Sequence, residues 1–539
     1  MSLDLAQETF PALTEPRRVG ARRSVRIPKR IDAVIVAFLA VAVGVVDASG
    51  LTRWPGFNGD EGIYTSQSWS VLHGSIEAYT YSYDHPFLGW AMMAPFEWLA
   101  ETLGITGTGM AVLDARAVMV LLAVADAALL YGVACRLGFR RVVAAFTVLA
   151  WGWSPLTVSF ARQVYLDNIA LPFLLGALYL ALDPARRQWF YVGAGAVFAV
   201  GVLSKETTLL YLPVLLYIVV QRTAGQVRVM AIASMATCSV AIIFLYPLFA
   251  LLRGEFFPGS GHVSLWSEQI WAQLFSRAGS GSLWNVASSR FQLVDSWFHL
   301  DWWLPIAGLT GAVLMTAVAR MRPIVVAVAI SVAVVVKSSG YLPGMYIISV
   351  LPFLALCLGA VLNWLGGPAG AGKRRVTPRR VAAFTAVVAL AVAMTPEYAS
   401  GIRREATVNL VGPAEMADQY AISHIPHNAN VLVDPIFYVD LIHHGFRHQW
   451  RGAIAYYQYD LDPESLTKLP GGWRDLDYLL VTPAMRDQIS GKSVALPRTA
   501  AAIAHSRVVA VFGRGAQQVQ VRKIIHSPSD TASVPKASS

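Results

Sequence analysis

The sequence predicts a membrane all-α bundle of about eleven transmembrane helices, followed by a C-terminal α/β domain outside the bilayer. Three observations carry this. Of 539 residues, 55% are hydrophobic and only 14% charged, with a mean hydropathy of +0.50, which is too much apolar surface for one soluble core. Eleven stretches are apolar enough to cross a hydrocarbon layer as helices, the form in which every backbone polar group is satisfied within the segment. From about residue 397 the hydropathy falls and short strand-like runs take over.

The N-terminus is a basic arm, residues 1–30, carrying Arg17, Arg18, Arg22, Arg23, Arg26, Lys29 and Arg30. The apolar run behind it has no small-residue cleavage site, so it reads as a retained first span rather than a secretory signal. Spans are expected near residues 31–49, 110–134, 142–160, 168–182, 189–203, 207–220, 228–251, 302–319, 323–337, 344–365 and 381–396. The connections 136–141, 183–188, 221–228, 320–323 and 373–380 are short and basic, so the positive-inside rule puts them and the N-terminus in the cytoplasm. An odd number of spans then leaves the tail outside a plasma membrane. The net charge of +10 is thereby a topology signal and not a nucleic-acid footprint. Cys135, Cys238 and Cys357 all lie in or beside apolar stretches, so neither a disulfide framework nor a metal-thiolate site is expected.

Three outer regions are too long to be turns: residues 50–109, 252–301 and the tail. The first contains amphipathic stretches at 63–72 and 88–99 that suit helices lying in the interface. In the tail, runs at 430–433, 478–481 and 508–512 read as strands and 415–423 as a helix. These give an α/β domain over residues 397–525, and 526–539 reads as a disordered peptide. No internal repeat is visible, which weakens a transporter reading.

Charged groups gather in the outer connections. Directly after the first span comes Phe57-Asn58-Gly59-Asp60-Glu61-Gly62, two carboxylates between glycines. Such a pair can be a solvated turn or a helix cap; held near the bilayer surface, a carboxylate can also accept a proton from an attacking hydroxyl. Asp84-His85-Pro86 lies farther along the same loop and reads, taken alone, as a turn before a helix. The third connection carries Arg162-Gln163-Val164-Tyr165-Leu166-Asp167, either an ion pair or the mouth of a functional path. The fifth carries Ser204-Lys205-Glu206-Thr207, where the ammonium either snorkels or reaches a phosphate. His443, His444 and His448 read as solvated loop histidines rather than metal ligands.

In order and sidedness, Gly59-Asp60-Glu61, Asp84-His85-Pro86, residues 161–167 and Ser204-Lys205-Glu206-Thr207 before Tyr211-Leu212-Pro213 resemble the GT-C superfamily of membrane glycosyltransferases. The nearest branch is the protein-mannosyltransferase and aminoarabinose-transferase-like group, and the resemblance covers residues 31–365. It implies a GT-C-like bundle that takes a monosaccharide from a polyprenyl-phosphate donor and passes it to an envelope glycan, lipid or protein. On that resemblance Asp60 is the general base, Glu61 orients acceptor or sugar, and Asp167 is the second acidic position. Arg162 and Lys205 neutralise the departing lipid phosphate, the task fixed cations in a dry site perform well. Asp84, His85, Tyr165, Glu206 and Tyr346 complete the candidate substrate-binding set.

Where many relatives place an Arg-Tyr pair before a Leu-Pro-rich span, this chain has Gly340-Tyr341-Leu342-Pro343-Gly344-Met345-Tyr346, so Lys337, Arg290 or His299 is expected to share the phosphate. Some superfamily members hold a divalent metal between their acidic loops. Asp60, Glu61 and Asp167 could form such a site here, but no cofactor is assigned. The expected partners are the lipid-linked donor, membrane lipid and the acceptor, with no nucleic acid. The rival function is a flippase for the same lipid, without transfer.

Overall fold

A computed structural model describes residues 29–80, 83–103, 109–259, 262–276, 279–337, 340–367, 378–490 and 495–526. The basic arm before Lys29, most of the basic connection 373–380 and the C-terminal peptide after His526 lie outside the described residues.

The first span is α1 (Lys29–Ala48). The long first loop folds into α2 (Gly59–Leu72) and α3 (Leu88–Thr102), close to the two amphipathic stretches in the sequence. Then follow α4 (Ala111–Arg136), α5 (Arg141–Gly152), α6 (Pro155–Ala161), α7 (Leu166–Ala181), α8 (Gln188–Ser204), α9 (Leu212–Arg222), α10 (Gly225–Ile243) and α11 (Leu245–Leu252). After the second long region come α12 (Ser289–Leu300), α13 (Trp303–Met315), α14 (Arg322–Val336), α15 (Ile347–Leu365) and α16 (Pro378–Thr407).

Each of the eleven apolar stretches is largely helical, but among the described residues six helices can cross a membrane alone by length and composition. The pair α5 and α6, bent by 63° where Trp153 and Ser154 break the helix ahead of Pro155, makes a seventh. Helices α7, α8 and α13 are apolar but shorter, and α9 has only 11 residues.

Burial sorts centre from rim. The apolar window of α15 is 83% buried and that of α1 17%, so α15 is the packed axis and α1 faces lipid. Small residues bring the axis close to its neighbours. A Cβ on Gly308 or Gly311 of α13 would stand 2.5 Å from Leu354 or 2.9 Å from the Cys357 backbone, so only glycine allows this approach. Helix α16 runs on to Thr407, past the expected end of the last span at residue 396.

Beyond it, α17 (Gly412–His424) precedes a five-stranded mixed sheet in the order β2-β1-β3-β5-β4. Strands β1 (Val431–Val433), β2 (Ala453–Ala455) and β3 (Tyr478–Val481) are parallel; β4 (Ser506–Phe512) and β5 (Val519–Ile524) pair antiparallel. The short α18 (Tyr438–His443) lies between β1 and β2. Strands β2 and β5 were absent from the sequence expectation. The first has three residues, too few for a periodic pattern, and the second mixes apolar with polar and basic residues close to the polar tail.

The domain is not a loosely tethered appendage. Trp69 of α2 and Val112 and Leu113 of α4 share one hydrophobic core with Val431, Val433, Phe437 and Val521. A Cβ on Gly62 would stand 2.2 Å from the Ile436 nitrogen. Backbone N–H groups cross the seam as well: Ala111 donates to Asp440 at 2.8 Å, Ala455 to the Tyr79 hydroxyl at 2.9 Å and Leu410 to the Arg53 carbonyl at 2.8 Å. The domain thus closes over the first long loop.

Candidate active site

The site is built on the start of α2. Asn58 caps the helix by accepting from Asp60 N at 3.0 Å, and Glu61 accepts in return from Asn58 N at 3.1 Å, a reciprocal capping box that fixes where the acidic pair points. The two carboxylates then diverge. Glu61 is fully buried and takes two charge-assisted bonds from Arg116 of α4, both 2.8 Å. Val164 N at 3.1 Å and Gln163 Nε2 at 3.3 Å complete its shell. The same guanidinium donates to the Pro55 carbonyl at 2.9 Å. Glu61 is therefore a keystone between α2, α4 and the Arg162–Asp167 connection, with protein groups where a substrate hydroxyl would have to bind. Arg116 went unnoticed in the sequence, although an arginine inside an apolar stretch is itself a signal.

Asp60, one step around the helix, faces a different neighbourhood. Its charge reaches Tyr64, one turn on, and Tyr165, as well as Asp434, Tyr456 and Tyr457 of the C-terminal domain. Burial, helped by the charge of Asp60, outweighs the hydrogen bonds from Thr482 and Ile436 N and leaves Asp434 raised to about 6. The domain thereby supplies an acidic and aromatic wall to the site, which short strand-like runs could not reveal.

The other candidates gather around Tyr64, whose hydroxyl lies in the field of Asp60, Asp84, Asp167 and Glu206 together. His85 stands 6.1 Å from the Tyr64 ring and links two charges. Lys205 Nζ is 3.0 Å from His85 Nε2, and His85 Nδ1 is 3.1 Å from Glu206 Oε2. An ammonium can only donate, so Nε2 accepts and Nδ1 carries the proton given to Glu206. Burial raises the Glu206 carboxyl, but the proton shared by His85 and the charge of Lys205 outweigh it and hold it below the usual carboxylate range. Asp84 takes the His85 backbone N–H at 2.9 Å, fixing the turn. Asp167, at the first turn of α7, is buried with no hydrogen-bond partner on either oxygen. It shares a groove with Tyr346, walled by Leu210, Ile330, Val334 and Val350.

Three predicted phosphate ligands stand elsewhere. Arg162 is fully buried against α1 and α16, donating to the Val46 carbonyl at 2.7 Å and facing Glu405 at 3.5 Å. Arg290 is spent on backbone carbonyls of Gly281, Val334, Val335 and Gly340, capping the C-terminal end of α14. His299 is on the outer face of α12, with a side chain 76% exposed, beside Asp295. Sequence position puts each in a connection between apolar stretches but carries no information on which way its side chain turns.

A divalent metal does not fit between Asp60, Glu61 and Asp167. The Arg116 guanidinium holds Glu61, and among the described residues no three His, Cys, Asp or Glu side chains come together as a ligand set.

Residues 85–250 match the family described as dolichyl-phosphate-mannose-protein mannosyltransferase. Comparison with curated protein sequences gives no match. Among solved structures, ArnT from Cupriavidus metallidurans bound to undecaprenyl phosphate superposes with a TM-score of 0.58 at 19% identity, over 92% of this chain and 98% of that one. An Archaeoglobus fulgidus oligosaccharyltransferase tethered with an acceptor peptide gives 0.51 at 10% identity, over 93% and 75%. The arabinofuranosyltransferase AftD from Mycobacteria gives 0.50 at 16%, over 92% and 40%. Fold and family match together bear out the resemblance to GT-C glycosyltransferases, and the class they define is a multi-pass membrane glycosyltransferase. Within it, the similarity is to the mannosyltransferase and ArnT-like branch.

Proposed function

We propose that this enzyme transfers a monosaccharide from a polyprenyl-phosphate donor to a hydroxyl of an envelope glycan, lipid or protein, on the outer face of the plasma membrane, with inversion. The convergence of Asp60, Asp167 and the Lys205–His85–Glu206 chain on Tyr64 carries this reading. Asp60 takes the acceptor's proton as its oxygen attacks the anomeric carbon, and the carbon–oxygen bond to the phosphate breaks on the opposite side. The electron pair leaves with the phosphate, whose charge Lys205 meets, while Glu206 and His85 fix the ammonium's position. Asp167, with two buried oxygens lacking a partner, is suited to hold sugar hydroxyls. Tyr346 and the aliphatic side chains of Leu210, Ile330, Val334 and Val350 offer apolar contact to the part of an isoprenoid carrier nearest the phosphate. ArnT, similar in fold, is described with undecaprenyl phosphate bound, the class of carrier proposed here.

In this scheme residues 31–396 form the transferase bundle, and residues 397–525 close it from outside. Glu61 is a positioning residue, held by Arg116, that sets the direction of α2 and so of Asp60. The test is Asp60→Asn in proteoliposomes supplied with radiolabelled polyprenyl-phosphate sugar. Transfer should fall by about 10² to 10⁴, the usual worth of a general base, with unchanged thermal unfolding. Undiminished turnover would remove Asp60 from the mechanism.

A further inference from the structure

We propose that the cavity behind α2 binds a membrane glycolipid whose head group is uncharged and rich in hydroxyls. The cavity, about 810 Å³, lies between α2, α3, the start of α4 and α18. At 100° per residue, Thr65 and Trp69, which line it, sit roughly 140° and 180° around α2 from Asp60. It is thus separate from the transfer centre, and the inference does not rest on the role of Asp60.

Its lining is of two kinds. Phe96, Leu99, Leu103 and Leu121 are exposed apolar side chains on α3, just past its end, and on α4. That surface adjoins a membrane-crossing helix and fits acyl chains. Toward the C-terminal domain the lining turns to Glu97, Asp114, Asp440, His443 and His444, with no Lys or Arg among the described lining residues. Two buried polar groups lack partners there. Asp440 is 5% exposed; Oδ1 accepts from Ala111 N at 2.8 Å and Oδ2 has no partner. Trp69 is 7% exposed and its indole N–H is unpaired.

An orphaned acceptor and an orphaned donor at one cavity each cost roughly 1 to 3 kcal/mol until met. A sugar hydroxyl donates and accepts and meets both. A phosphodiester offers only acceptors, so it can meet the Trp69 N–H but not the unpaired Asp440 oxygen, and an anionic phospholipid is disfavoured. The apolar wall adds the chains' burial, and the combination selects an amphiphile with a polyol head.

The test uses the full chain in phosphatidylcholine nanodiscs doped with equal amounts of diglucosyl diacylglycerol and phosphatidylglycerol of matched chains. After extraction into a sugar-free detergent, retained lipid is quantified by mass spectrometry. Diglucosyl lipid should be retained about tenfold over phosphatidylglycerol, a difference of about 1.4 kcal/mol. Asp440→Asn should reduce that ratio, and Ala117→Trp, which fills the cavity from an exposed position on α4, should abolish it. Asp60→Asn should leave retention unchanged, so a failed transfer reading and a failed lipid site give different results. Equal retention of the two lipids, preference for phosphatidylglycerol, or retention indifferent to Ala117→Trp would overturn the proposal.

Discussion

The Glu61–Arg116 pair is closed to solvent on both sides, and such a pair stabilises only while both partners are present. Arg116→Ala leaves a buried carboxylate with only the neutral donors of Asn58, Gln163 and Val164. It should cost about 3 to 5 kcal/mol, read as a large fall in unfolding temperature, with loss of transfer following from the displaced α2. Lys205 is the opposite case, buried but tied to a histidine and a carboxylate in the candidate site. Lys205→Ala should unfold normally and lose about 10²- to 10³-fold in kcat, the range for removing one fixed electrostatic contact from a transition state. Lys205→Arg should restore part of it; full activity in the alanine variant would show that the phosphate is held elsewhere. That Asp167, Lys205 and Glu206 lie at one depth was legible in the sequence, because each sits beside the end of an apolar helix, where chain order fixes depth. Asp60 and His85 lie in the long first loop, and their approach to these residues depends on how α2 and α3 fold. The partners of Arg162 and Arg290 could not be read from the sequence. Glu405 is on the far end of the chain, and the carbonyls that satisfy Arg290 belong to a helix terminus whose position only packing decides.

At the scale of elements, the join between α2 and the segment after β1 is the sensitive point. A single methyl at Gly62 would collide with backbone rather than with a side chain that can swing away. Gly62→Ala should therefore loosen the C-terminal domain from the bundle and raise protease cleavage within residues 408–430 in the folded enzyme, whereas Gly74→Ala, with open space around its Cβ, should do so far less. Asp434 in the same join gives the domain a pH signature. Its folded-state pKa is raised, so its contribution is fully present below about pH 4 and is lost as pH rises through about 6. The loss is at most about 3 kcal/mol. The domain's resistance to unfolding in the wild type should fall between pH 4 and 7, and Asp434→Asn should flatten that slope; an identical slope in both would reassign it to other groups. None of this was legible in the strand-like runs of the tail. A pattern of apolar residues identifies a buried strand but not the element that covers it.

At the scale of the whole molecule, the contact between α2 and the C-terminal domain constrains the topology more tightly than helix length does. Both must lie on one side of the membrane, so an even number of crossings separates them. Of the six helices long enough to cross alone, one precedes α2 and five follow it. Five is odd, so an odd number of crossings must come from the bent α5–α6 pair and the shorter helices. The eleven-span reading satisfies parity with ten crossings after α2, and the seven-span reading with six. Hydropathy marked which stretches are apolar. It could not weigh a bent or short helix as a crossing, because that depends on how neighbours cover its ends. Which side carries Asp60 is testable through this contact, since a label on the domain reports for α2 as well. In a background with Cys135, Cys238 and Cys357 replaced by serine, Leu466→Cys, exposed on the domain, should react in intact cells with a membrane-impermeant maleimide. Arg187→Cys, in a basic connection, should react only after permeabilisation. The reverse pattern would put Asp60 in the cytoplasm, away from any acceptor in the envelope, and the proposed transfer would fail with it.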